Sequence, residues 1–263
     1  KHKVGDQQKN AVLVFKEMDP TFYVSVGNTR SKKYIEIYIT SSTSSEVRLL
    51  ETNSPNKKPK IFLPREKNHL YSIEDQGDRF LILTNWNAKN FKFMQTGLRD
   101  TKNKSQWKEL IAHDPDILIQ SFLTFPSKIV LKQRVKGLTE IIILNNKAKK
   151  LKKLKFQDPA YSLYFSANPE YYTNKLNIGY SSMRVPDSIY SVNLNSGRRV
   201  LLKQEQVKGK FSKSDYSGKG ILYLFLTRFC GVGCPFCFFR SKPEYRTENI
   251  EDRFSPEGVR KLI

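Results

Sequence analysis

The chain has 263 residues, with 46 lysines and arginines against 25 acids and a formal charge of +21. That length gives room for one large core or two modest ones. No apolar run reaches the ~18 residues that a membrane-spanning helix needs, so no membrane partner is expected. The three cysteines are confined to residues 230–237, a cluster that fits metal binding in a reducing compartment better than a secreted disulfide framework, so the expected location is the cytoplasm.

Residues 1–10 are polar and read as a loop, and Ala11-Val12-Leu13-Val14-Phe15 reads as a short apolar strand. From Thr21 a pattern recurs every 43–49 residues or so, about the length of a four-stranded propeller blade. The first unit holds Phe22–Val26, Tyr34–Ile39, Glu46–Leu50 and Lys60–Leu63, and the second Leu70–Ile73, Arg79–Leu83, Phe91–Gln95 and Trp107–Ile111. The third holds Ile117–Phe122, Lys128–Lys132, Thr139–Ile143 and Lys153–Phe156, and the fourth Ser162–Ser166, Lys175–Tyr180, Ser188–Val192 and Arg199–Leu202. These runs are rich in β-branched and aromatic residues, and turn formers such as Asp75-Gln76-Gly77-Asp78 and Asn195-Ser196-Gly197 separate them. A β-sandwich would not repeat four strands at a fixed period. The prediction is mainly β: a partial propeller of four blades over residues 1–209.

Charge and chemistry within the repeats are bland. The densest basic run, Lys147 to Lys155, reads as a turn and a charged edge strand with Leu151 and Leu154 pointing inward. No helix-turn-helix, zinc finger or RNA-binding aromatic pattern accompanies the charge, so no nucleic-acid partner is expected. His2, His69 and His113 are scattered, and His69 reads as a packing or turn residue. Gly179-Tyr180-Ser181-Ser182-Met183 lacks the second glycine of a nucleophile elbow. No catalytic residue is assigned.

Several stretches carry a resemblance: YVSVGNTRSKKYIEIYITSSTSSEVRLLE from Tyr23, FLPREKNHLYS from Phe62, KNFKFMQTGLRD from Lys89, KGLTEI from Lys136, FQDPAYSLYFSANPE from Phe156, and LNIGYSSMRVPDSIYSVNLNSGRRVLLKQ from Leu176. In order, over residues 11 to about 209, they resemble the propeller of the oligopeptidase B group of the prolyl oligopeptidase family. The resemblance implies part of a seven-bladed propeller that caps an α/β-hydrolase domain and restricts it to short peptides, with a Ser-Asp-His triad in a domain that has no counterpart here. Four such blades could not close that ring and would leave open flanks. With Lys1 first and Ile263 last in an amphipathic pattern, both ends are read as cut.

Residues 210–219 read as a linker or fusion junction, and 220–263 follow another logic. Ile221–Leu226 is a continuous apolar strand of the kind buried in a parallel sheet. Cys230, Cys234 and Cys237 lie on the loop after it, spaced C-x3-C-x2-C, and Ser255-Pro256-Glu257 starts a helix with serine as cap, proline first and an acid in the first turn. Strand, loop and helix form one opening βα unit of a barrel. Three thiolates can ligate three irons of a cubane cluster and leave the fourth open. The spacing is similar to the radical S-adenosylmethionine (SAM) signature. That resemblance implies that Cys230, Cys234 and Cys237 hold a [4Fe-4S] cluster, that Phe236 packs beside the adenine, and that S-adenosylmethionine binds the open iron. Three readings follow: a peptidase propeller without its hydrolase domain fused to a cluster motif, a radical SAM enzyme fragment with an appended propeller, or a non-functional gene remnant.

Overall fold

The structure is a computed structural model that describes residues 1–206. Residues 207–263, and with them the expected βα unit, lie outside the described residues. The first four strands are β1 (Tyr23–Asn28), β2 (Tyr34–Thr40), β3 (Ser45–Glu51) and β4 (Lys60–Leu63); the next four are β5 (Tyr71–Gln76), β6 (Arg79–Thr84), β7 (Lys92–Gly97) and β8 (Lys108–Ile111). Then come β9 (Ile117–Phe125), β10 (Lys128–Val135), β11 (Leu138–Asn145) and β12 (Lys150–Lys153), followed by β13 (Tyr161–Phe165), β14 (Lys175–Ser182), β15 (Ser188–Asn193) and β16 (Arg199–Gln204). Each set of four is one antiparallel sheet in chain order, giving four blades.

Short turns set the hairpin registers. In the third blade Lys136 and Gly137 connect Val135 to its partner Leu138, with φ of 48° and 83°. Positive φ at both central residues is the type I′ arrangement, whose twist suits adjoining strands and favours glycine at the second position.

Successive blades pack face to face through three apolar cores. Phe62, Tyr34 and Val47 of the first blade meet Phe80, Ile82 and Tyr71 of the second, with the Phe62 and Phe80 rings edge to face at 5.1 Å. Leu81, Leu83 and Phe93 turn the other way, onto Phe122, Ile129 and Leu131 of the third blade. Val130, Ile141 and Ile143 then meet Leu163, Leu176 and Ile178 of the fourth. Strand alternation thus sends Phe80 and Ile82 to one neighbour and Leu81 and Leu83 to the other. This is why these middle strands are apolar at nearly every position, as in strands covered on both faces.

Three expectations need correction. Ala11–Phe15 joins no sheet: Val12 exchanges bonds only with Lys1, while Leu13 stays 75% exposed. An apolar run without a neighbouring strand edge has no ladder to enter. The last strand of the third blade lies at Lys150–Lys153, earlier than expected. There the ladder shifts register between Ile143 and Leu144, which pair with Lys152 and Lys150, so Leu151 is the unpaired extra residue. A bulge of this kind reverses side-chain direction, and Leu151 is 53% exposed while Leu154 is buried. The lysines here sit on an outer strand, as expected of a charged edge.

Candidate functional site at the inner strands

Polar and charged groups from β1, β2, β5 and β9 meet near the β1–β2 turn and the loop after β13. The β1–β2 turn is closed by Lys32 N–H donating to the Thr29 carbonyl at 2.8 Å, which places Arg30 at its tip. Arg30 N–H donates to Glu74 Oε2 at 2.8 Å, and Ser31 Oγ donates to Asp75 Oδ1 at 2.7 Å. The Arg30 side chain crosses to the other blades: Nε donates to the Thr124 carbonyl at 2.8 Å, Nη2 to the Glu170 carbonyl at 2.8 Å, and Nη1 to the Asn168 carbonyl. Its guanidinium lies 4.8 Å from the centre of the Phe125 ring. Gln76 adds a parallel link, its Nε2 donating to the Phe125 carbonyl at 2.7 Å.

Beside this junction a recess of about 410 Å³, drawn from three blades, is lined by the polar Ser25, Glu36, Tyr38, Ser72, Glu74 and Ser121 and by the apolar Val26, Ile73 and Phe122. Burial pushes the Glu36 carboxyl up to about 7, helped by the nearby Asp75. Burial also pushes Glu74 up to about 8, with Glu36 and Asp75 adding to it while the Arg30 N–H and charge oppose it. Near neutral pH Glu74 therefore keeps its proton while Glu36 is shared between its two forms, and with three serines the recess offers both donors and acceptors. A larger open depression of about 1090 Å³, lined by Asp75, Arg79, Gln95, Lys108, Tyr171 and Tyr172 among others, lies at the turn end. It carries both signs of charge.

Of the residues singled out in the sequence, Cys230, Cys234, Cys237 and Phe236 lie outside the described residues. Among the described residues no group of three or more His, Cys, Asp or Glu side chains could hold a metal ion. His69 is in the core, 4% exposed, with Nε2 against Thr84 Oγ1 at 2.8 Å and its ring 5.4 Å from that of Tyr71. Burial and the neighbouring Lys104 hold its imidazolium down to about 4, although Glu66 pulls the other way. It packs as a neutral ring. Ser182 Oγ accepts from the Arg184 and Val185 N–H groups and shapes a turn. Sequence reasoning missed Arg30, Glu36 and Glu74. An acid inside an apolar strand (Ile35-Glu36-Ile37) was the available signal for Glu36, whereas nothing local marks Arg30.

Four four-stranded antiparallel sheets, each packed on the next through a shared apolar core, define a β-propeller. The profile of the prolyl oligopeptidase N-terminal β-propeller domain matches residues 1–205. Dipeptidyl aminopeptidase BI of Pseudoxanthomonas mexicana is 34% identical over 209 residues, which cover 79% of this chain and 28% of that protein. Protease 2 of Moraxella lacunata is 28% identical over 216 residues, 82% of this chain and 31% of that protein. Oligopeptidase B from Trypanosoma brucei, in a closed form with covalently bound antipain, superimposes with a TM-score of 0.75 at 30% identity, covering 81% of this chain and 31% of that one. The chain belongs to the prolyl oligopeptidase family through its propeller domain. It spans less than a third of the length of these relatives.

Proposed function

We propose that residues 1–206 are the peptide-screening part of an oligopeptidase B-like serine peptidase, acting by limiting which peptides reach a hydrolase domain. The match of a propeller profile to residues 1–205 carries this reading, and the recess of mixed polar and apolar lining shared by the first three blades supports it. The screening element is geometric: first strands held by interblade cores present a fixed opening, so passage depends on the size and extension of the peptide. The test is a chimera in which residues 11–206 replace the matching segment of Trypanosoma brucei oligopeptidase B. It should cleave short basic peptides and leave a folded protein substrate intact. A folded chimera that degrades both at similar rates would contradict the proposal.

A second reading concerns the cysteine segment and rests on its spacing. The donor set fits a [4Fe-4S] cluster: Cys230, Cys234 and Cys237 supply three thiolates, and Phe236 is an aromatic beside the last of them. Such a cluster would supply the electron that cleaves S-adenosylmethionine reductively, and the residues of this chain would hold and orient it. Anaerobic reconstitution with iron and sulfide should give broad absorbance near ~400 nm that Cys234→Ala loses. Equal iron content in the two proteins would refute it.

A further inference from the structure

The Arg30 side chain occupies a site that the rest of the fold builds. Its three acceptors are main-chain carbonyls held in place without it. Thr124 is fixed in the β9–β10 ladder opposite Ile129. Asn168 is tied to its own blade, its Nδ2 donating to the Ser166 and Asn177 carbonyls and its Oδ1 accepting from Asn177 N–H. Two positions on, the Glu170 carbonyl shares that loop, and next to it Tyr171 is 7% exposed. Phe125, 1% exposed, supplies the aromatic face. Three convergent acceptors over a ring match a planar guanidinium fork, and an ammonium, a compact point charge, cannot satisfy them together. No carboxylate touches the side chain among the described residues, so shape and hydrogen bonding rather than ion pairing define the fit. The occupant comes from a turn 94 to 140 residues away in the chain.

We propose that Thr124, Phe125, Asn168 and Glu170 form a guanidinium receptor, filled in this structure by Arg30 of the chain itself, and that an arginine side chain of a peptide entering along the inner strands exchanges with it. The choice of a peptide as the source of the competing guanidinium rests on the peptide-screening reading; the receptor itself does not. Exchange frees the β1–β2 turn from the third and fourth blades, while Arg30 N–H and Ser31 remain bonded to Glu74 and Asp75. The turn then stays attached to the second blade.

Arg30→Ala empties the receptor in the full chain. Thermal denaturation with added N-ethylguanidinium, and N-ethylammonium as control, should show a saturable rise in Tm at millimolar guanidinium. The rise should be at least about threefold larger than with ammonium and absent in the wild type. Equal responses to the two cations, or equal responses in wild type and variant, would overturn the receptor. Should the alanine variant fail to fold, Arg30→Lys, which keeps the charge but not the fork, is read in the same way. Acetyl-Gly-Arg-Gly-amide should then bind the variant at least about tenfold more tightly than the wild type, and more tightly than its lysine counterpart does. Rescue by N-ethylguanidinium without peptide binding would overturn the exchange and count against peptide screening. Loss of both would overturn the receptor alone.

Discussion

Two side chains show how single residues set the properties of this fold. Glu36 and Glu74 hold their protons to about 7 and about 8, against an ordinary 4.5. The folded chain therefore binds more protons than the unfolded chain between pH 4.5 and 8, and the contribution of these two groups to stability falls as pH rises through that window. Glu74→Gln keeps an acceptor for Arg30 N–H and removes the charge. Its urea midpoint should exceed that of the wild type at pH 9, by a stability gain of about 1–2 kcal/mol, and converge with it at pH 4.5. A constant difference across that range would show that Glu74 does not titrate in this window. Gly179 acts by absence: a Cβ there would lie 1.9 Å from Cζ of Tyr164, its cross-strand partner. The Tyr164 hydroxyl is bonded to the Asp187 carboxylate at 3.0 Å, so the ring cannot simply swing away. Gly179→Ala should cost about 1–3 kcal/mol by overpacking, measured by chemical denaturation. Tyr164→Ala in the same chain should recover part of that loss, because the space then exists.

At the scale of the element, turns and bulges decide more than strand composition does. Gly137 has a φ of 83° with open space around it, so Gly137→Ala is a backbone change with no clash. It should destabilise by about 1 kcal/mol, and Gly137→Asn, which tolerates the left-handed region better, should destabilise less. Equal losses would mean that the turn is not the type I′ arrangement its angles describe. The strands themselves were legible in the sequence because each alternating or continuous apolar run is bounded by turn formers, and fifteen of the sixteen fell within a few residues of where they were expected. The exception, β12, is displaced by a bulge, and bulges depend on the partner strand rather than on local composition. Ala11–Phe15 has the composition of a strand and no partner. Arg30 was invisible for a related reason: its acceptors belong to strands and loops far along the chain, and all three of its distant side-chain bonds end on carbonyls, which no residue type advertises. Glu36 and Glu74 were readable as acids within strands but not as a pair, because only the packing of the first blade on the second brings them into one recess.

At the scale of the whole molecule, the four described blades share three cores, and each inner blade is apolar on two faces. The terminal strands differ: β1 and β16 are exposed along their whole length. Exposed Val24 and Val26 on β1, and Val200, Leu201 and Leu202 on β16, mark those flanks. The family and its propeller were legible as extended likeness over residues 11 to 209, while the chemistry of the complete protein was not, since the chain spans under a third of its relatives. Whether residues 1–206 stand as four successive blades is tested most directly by hydrogen exchange on the purified chain. The slowest amides should be those of β6, β10 and β11, whose side chains are shared between neighbouring cores, and the fastest strand amides those of β1 and β16. Protection of β1 and β16 equal to that of β10, or no slow-exchanging class in the middle strands, would contradict the account.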